Sequence, residues 1–230
     1  LAIQFEFAHF CHGFCNSQFS ASPVNGVNAY NYFCPVLFFF EVLVNDIAVF
    51  RHLMKMPDLF ETPRLLIQRL RYEDASEIFY TYASKPEATR YLSWATHEVI
   101  ADTRQFLQYA RAAWQAGTDF SYSIRVKESG RLVGSIGVVN DSGKAHFGYV
   151  FGPLHWGKGY ATETCRKLLE VLRANPDVYR IGTFVDAENI ASAKVLYKCG
   201  LTEEAHLVKW YRFVNQGNQP KDCVLFKLPM

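Results

Sequence analysis

Apolar and polar positions alternate from 64 to 70 (RLLIQRL), the period-two pattern of a strand with one buried face. A short helical run over 75–83 (ASEIFYTYA) follows, with Asp74 as its N-cap and Pro86 as its stop. A longer helix is predicted from 98 to about 116, with Leu107, Ala110 and Trp114 on one face and Gly117 just past its end. Three extended segments come next, FSYSIRV, RLVGSIGVV and KAHFGYVF, separated by the turn-forming ESG and NDSG, and they read as an antiparallel meander. The strongest helical signal is the stripe Ala161, Cys165, Leu168, Leu169 and Leu172, spaced i, i+4, i+7, i+8 and i+11. It stops before Asn175-Pro176, and YRIGTFV over 179–185 resumes as a strand, which makes a strand–helix–strand crossover. Asn189 caps a short helix ending at Cys199-Gly200, and two extended runs, about 201–214 and 222–228, close the chain around the polar NQGNQPK. The order predicts a mixed α/β (α+β) fold without internal repeats.

Composition divides the chain. Residues 1–55 hold 10 of its 19 Phe but only five charged residues, Glu6, Glu41, Asp46, Arg51 and Lys55. The ordinary domain pattern begins at Met56, so the expected organisation is an apolar leader, 1–55, and one domain, 56–230. The leader lacks the basic start of a secretory signal and the Arg-rich pattern of a transit peptide; upstream translation and a real appendage both fit it. Pro35, Glu41, Asn45 and Asp46 interrupt its apolar run from 33 to 50, short of the roughly 20 apolar residues of a membrane span, so no membrane partner is expected. His9, Cys11, His12 and Cys15 match no metal-ligand spacing, and no metal is expected. Six scattered cysteines without a secretory signal suit a reducing, cytoplasmic compartment. A formal charge of +2 with no basic block argues against a nucleic-acid partner.

The chemistry concentrates in HWGKGYATE, 155–163, where a strand gives way to a helix. Backbone N–H groups at such a turn face an anion at the positive end of the helix dipole; Gly157 and Gly159 let the backbone curl, and Lys158 adds charge. Gly152 to Lys158 satisfies G-x-x-x-x-G-K, but Gly159 stands where a P-loop needs Ser or Thr. A dinucleotide fingerprint would require a third glycine at Thr162, after a parallel strand. The acyl-CoA turn R/Q-x-x-G-x-G/A fits from Trp156 to Ala161, with Trp156 in place of Arg or Gln. With ETPRLLIQRLRYEDA, LVGSIGV, HFGYVF and VDAENIASAKVLYKCGL in order, the domain resembles the GNAT superfamily of N-acetyltransferases, in its ribosomal-protein alanine and serine N-acetyltransferase (RimJ/RimL-like) branch.

The resemblance implies a twisted, mostly antiparallel sheet of about seven strands, flanked by helices and opening as a V between its fourth and fifth strands. Acetyl-CoA is the implied cosubstrate. Its arm would meet the main chain of Tyr149, Val150 and Phe151, and its diphosphate the turn Trp156, Gly157, Lys158, Gly159, Tyr160 and Ala161. Asn189 matches the asparagine that contacts the arm, and also reads as a helix cap. Direct attack of an amine on a thioester needs a base and a donor for the departing thiolate. The tyrosine donor of many relatives is Leu196 here, and Tyr197 is turned about 100° around the helix. Ser192 takes the donor role, against a plain packing role. For the base, His146 stands where relatives carry glutamate, and Glu163 is the second candidate, against complementing the helix dipole. No cysteine is placed for a covalent intermediate. The implied acceptor is the N-terminal α-amine of a protein or peptide; a small amine such as an antibiotic or polyamine, and a catalytically silent CoA-binding module, are the alternatives. Relatives pair through their sheets, which implies a homodimer.

Overall fold

The alternation at 64–70 forms β2 (Leu65–Arg69), with Leu65 and Ile67 buried on its inner face. These and all following observations come from a computed structural model that describes residues 54–229. The group His9, Cys11, His12 and Cys15 and the apolar run 33–50 lie outside the described residues. Ahead of β2 stands an unforeseen strand, β1 (Leu59–Glu61), paired antiparallel to it. Three residues are too few to register a period.

The next helical run begins as α1 (Ala75–Ile78) and continues through a π-turn, Phe79–Ala83. Asp74 makes no side-chain bond to the first turn of α1, contrary to expectation. Its buried carboxylate instead accepts from Arg125 Nη2 at 2.8 Å and Arg71 Nη2 at 3.3 Å. Its other oxygen accepts the Arg71 backbone N–H at 3.3 Å, so both oxygens are engaged away from α1. Pro86 does not only stop that run; it opens α2 (Pro86–Thr89), where its missing N–H costs nothing. In α3 (Ile100–Gln115), Asp102 accepts from the Glu98 and Val99 N–H groups, and Gly117, with φ 68°, ends the helix in the left-handed region.

The predicted meander is β3 (Asp119–Val126), β4 (Leu132–Asp141) and β5 (Lys144–Phe151). The apolar stripe is the inner face of α4 (Tyr160–Arg173), with all five of its residues buried. After that crossover β6 (Arg180–Asp186) runs parallel to β5, and α5 (Ile190–Lys198), β7 (Thr202–Arg212) and β8 (Pro220–Lys227) complete the chain. The single sheet has eight strands, β1 included, in the order β1-β2-β3-β4-β5-β6-β8-β7. The larger core joins one face of the sheet to α4 and α5; a smaller one joins Leu132 and Val150 to α1–α3 on the other face. Among the described residues no helix is long and apolar enough to cross a membrane.

Candidate active site

Strands β5 and β6 start side by side and then part. Their ladder holds only Lys144↔Arg180, Ala145↔Ile181 and His146↔Gly182. From Gly182 onward β6 pairs with β8, while β5 beyond His146 keeps only β4. A gap therefore opens toward the carboxyl ends of both strands, and each strand there feeds a helix, α4 after β5 and α5 after β6. Crevices outside the carboxyl ends of parallel strands are where such sheets take ligands.

At the start of α4, Gly157 and Gly159 adopt left-handed φ angles of 75° and 78°. A Cβ on Gly157 would meet no atom within 4 Å, so the backbone conformation alone calls for glycine there. None of the backbone N–H groups from 157 to 162 has a hydrogen-bond partner among the described residues; the first helical bond is Glu163 N–H to the Gly159 carbonyl, 3.1 Å. Unpaired amides clustered at a helix N-terminus are groups that can bind an anion. Lys158 is exposed beside them, and an adjoining groove of about 640 Å³ is of mixed charge, lined by Arg64, Arg166, Lys167 and Lys198 together with Glu61, Glu163 and Glu170. Tyr160 lies under the Arg64 guanidinium, 4.9 Å from its ring centre, and Ala161 turns into the core. Trp156 donates its indole N–H to the Phe151 carbonyl at 2.8 Å. That N–H is the side chain's only donor and the backbone N–H bonds the Pro153 carbonyl at 3.2 Å, so Trp156 is a tie at the end of β5 with no donor left for a phosphate.

At the start of α5, the buried Asn189 side chain accepts the Ser192 N–H at 3.2 Å, which is the cap the sequence suggested. Ser192 is fully buried. Facing it from β5 is Tyr149, whose hydroxyl lies near Ser192 but short of hydrogen-bond geometry, without a partner among the described residues. Burial, and after it Cys165 nearby, push the Tyr149 pKa well above the ordinary tyrosine value, so the hydroxyl keeps its proton. The sequence pointed to Tyr149 for its main chain and overlooked this hydroxyl; alternation along β5, which puts Phe147, Tyr149 and Phe151 on the α4–α5 side, is the signal that finds it.

Leu196 is fully buried, and Tyr197 is half exposed with its hydroxyl given to the Glu203 carboxylate, so the familiar tyrosine donor has no equivalent there. His146, half-buried, occupies the last position of β5 that pairs with β6, on the face opposite Tyr149. Glu163 is not brought to this group. Its carboxylate accepts from Thr62 Oγ1 at 2.5 Å, Arg64 N at 3.1 Å and Arg64 Nε at 2.7 Å. Burial alone would raise its pKa, but the bonds from Thr62 and Arg64 outweigh it and hold the carboxyl below its usual value. Glu163 thus ties α4 to the β1–β2 turn, and a poor base results.

Residues 64–202 match the family model described as the acetyltransferase (GNAT) domain. The N-acetyltransferase p20 of Bacillus licheniformis is 31% identical over 149 residues, 64% of this chain and 83% of the relative. Ribosomal-protein-S5-alanine acetyltransferase from Vibrio fischeri has the same fold at TM-score 0.64 and 18% identity, over 74% of this chain and 94% of that one. Spermidine N-acetyltransferase from Vibrio cholerae, solved with CoA and spermine, does so at TM-score 0.62 and 18% identity, over 73% and 96%. With the family model spanning every element that frames the gap between β5 and β6, this chain belongs to the GNAT acetyltransferase family.

Proposed function

We propose that this acetyltransferase moves the acetyl group of acetyl-CoA onto the N-terminal α-amine of a protein or peptide. The observation that carries the reading is the run of unpaired N–H groups from 157 to 162 at the mouth of the β5–β6 gap. A diphosphate fits it: left-handed Gly157 and Gly159 expose the amides, and Lys158 supplies charge. Acetyl-CoA, when bound, supplies an acetyl group already activated as a thioester.

The chain's own residues divide the remaining work. Gly157 to Ala161 hold the diphosphate, the main chain of Tyr149, Val150 and Phe151 lines the free edge of β5 for the arm, and Asn189 steadies the start of α5 against it. Ser192 Oγ, directly or through water, relays a proton to the departing sulfur, and Tyr149 Oη, which burial keeps protonated, stabilises that sulfur by hydrogen bonding. His146, where the strands part, removes the proton from the amine. Without a strong base, and with Glu163 occupied by Arg64 and Thr62, an α-amine with a pKa of about 8 suits the site better than a lysine at about 10.4.

The test is a mass-shift screen with acetyl-CoA against peptides with free or blocked α-amines, free lysines, and small amines. Acetylation confined to free α-amines is the expected result. Acetyl gained only by small amines contradicts the acceptor, and no acetylation with intact CoA binding leaves a silent CoA-binding module in its place.

A further inference from the structure

The turn that starts α5 is held by a side chain from much later in the sequence. Asp186 is the last residue of β6 and is 1% exposed. Its Oδ1 accepts the Glu188 N–H at 2.8 Å, and its main-chain carbonyl accepts the Asn189 N–H at 2.8 Å. Asn189 in turn accepts the Ser192 N–H at 3.2 Å. One residue therefore sets the path of the backbone from β6 to the serine that faces Tyr149. Its remaining oxygen, Oδ2, accepts Gln216 Nε2 at 2.8 Å, from 30 positions further on. An ionised carboxylate only accepts, so the glutamine presents its N–H₂ group there.

Gln216 reaches Asp186 from a fixed base. It ends the short 3₁₀ turn Val214–Gln216, between β7 and β8. Its backbone N–H bonds the carbonyl of the fully buried Phe213 at 3.0 Å. Its neighbour Asn215 accepts from Thr96 N at 2.9 Å and donates to the Thr89 and Trp94 carbonyls, each at 2.8 Å, which anchors the turn to the segment between α2 and α3. Without Gln216, a buried carboxylate oxygen would lose its donor, and that costs more than the bond itself contributes. The carboxylate would rotate to recover one at the expense of the Glu188 N–H, and the start of α5 would move with it.

We propose that Gln216 is a positioning residue for acetyl transfer, acting through Asp186 and the first turn of α5 on Ser192 Oγ. The inference rests on the acetyltransferase reading above and deepens it by naming what holds the proton relay in place. The effect is one of distance: a displacement of about 1 Å can cost about a hundredfold in rate. The diphosphate turn at 157–162 leads into α4 and shares none of these bonds, so CoA binding is spared.

The experiment compares the wild-type chain with Gln216→Leu, of similar size but without the amide, and with Asp186→Ala and Asp186→Asn. The asparagine still accepts the Glu188 N–H, and it offers its own N–H₂ to the Gln216 carbonyl once that amide turns over. Thiol release from acetyl-CoA is measured with the acceptor that the mass-shift screen selects. Gln216→Leu and Asp186→Ala should lower kcat about tenfold or more with calorimetric CoA affinity within about threefold of wild type, and Asp186→Asn should recover most of the loss. Amide hydrogen exchange, which needs no acceptor, should quicken at Glu188, Asn189 and Ser192 in Gln216→Leu and hold in α4. An unchanged kcat or unchanged exchange at those amides in Gln216→Leu overturns the assignment. So does a loss of CoA affinity as large as the loss of kcat, which would mark the network as structural only, and so does an Asp186→Asn as impaired as Asp186→Ala. If the wild-type chain binds no CoA, or no amine speeds thiol release, the acetyltransferase reading itself fails and the inference falls with it.

Discussion

Asp119, the first residue of β3, is 2% exposed and accepts the Ser121 hydroxyl at 2.8 Å, and Asp119→Asn makes a prediction about stability. The folded carboxyl titrates at about 6 against an ordinary 3.8, a difference of about two pH units, and at about 1.36 kcal/mol for each this amounts to about 3 kcal/mol. Between those two values the folded chain retains a proton that the unfolded chain has lost. The contribution is therefore intact below about pH 4, is lost as pH rises through about 6, and is flat above. Asp119→Asn stays neutral throughout, and its amide N–H₂ needs a new partner, which costs about 1 kcal/mol. At pH 4 the variant should be slightly less stable than the wild type; at pH 8 it should be more stable by about 2 kcal/mol. Urea unfolding followed by circular dichroism across pH 4–8, extrapolated linearly, reads the difference directly. A difference that does not vary with pH would refute the reasoning, because it would mean the carboxylate is compensated in the folded chain.

Tyr149→Phe removes a buried hydroxyl that lacks a partner among the described residues, so stability should hold or rise by up to about 1 kcal/mol while kcat falls; unchanged kcat would rule out a hydrogen bond from Tyr149 Oη to the departing sulfur. Gly157→Ala forces a side chain onto a φ of 75°, and a loss of about 1 kcal/mol in thermal unfolding with weaker CoA binding should follow even though the added methyl meets no atom. Glu163→Gln loosens the tie to Arg64, whose side chain is half exposed, so about 0.5–1 kcal/mol should be lost near neutral pH; the folded carboxyl titrates low, and the difference should fade as pH falls through that lowered value. Asn215 accepts from Thr96 N at 2.9 Å and donates to the Thr89 and Trp94 carbonyls, each at 2.8 Å, so Asn215→Ala should cost about 2–3 kcal/mol and speed amide exchange in 89–97 above that of α4.

What the sequence disclosed is what local spacing can encode. The i, i+4, i+7 stripe led to α4, alternation led to β2 through β5, and two glycines around Lys158 marked the left-handed turn where α4 begins, because each signal lies within a few residues of its consequence. The rest depends on partners far along the chain. Glu163 reads as a free first-turn acid until Thr62 and Arg64, about 100 residues earlier, close on it. Asp74 reads as a cap until Arg125 draws it away. The placement of β8 between β6 and β7 and the opening of β5 from β6 are likewise matters of register between distant segments. The GNAT resemblance supplied that opening in advance, which spacing alone does not give.

Backbone amide shifts during a CoA titration test the central claim most directly, in ¹⁵N-labelled chain assigned across 145–200. Saturable shifts should concentrate at Gly157 to Thr162, on the free edge of β5, and at Asn189 to Ser192, with Gly157→Ala weakening all three sets together. Shifts that leave Gly157 to Thr162 unmoved at saturating CoA, or no binding at all, would contradict the account.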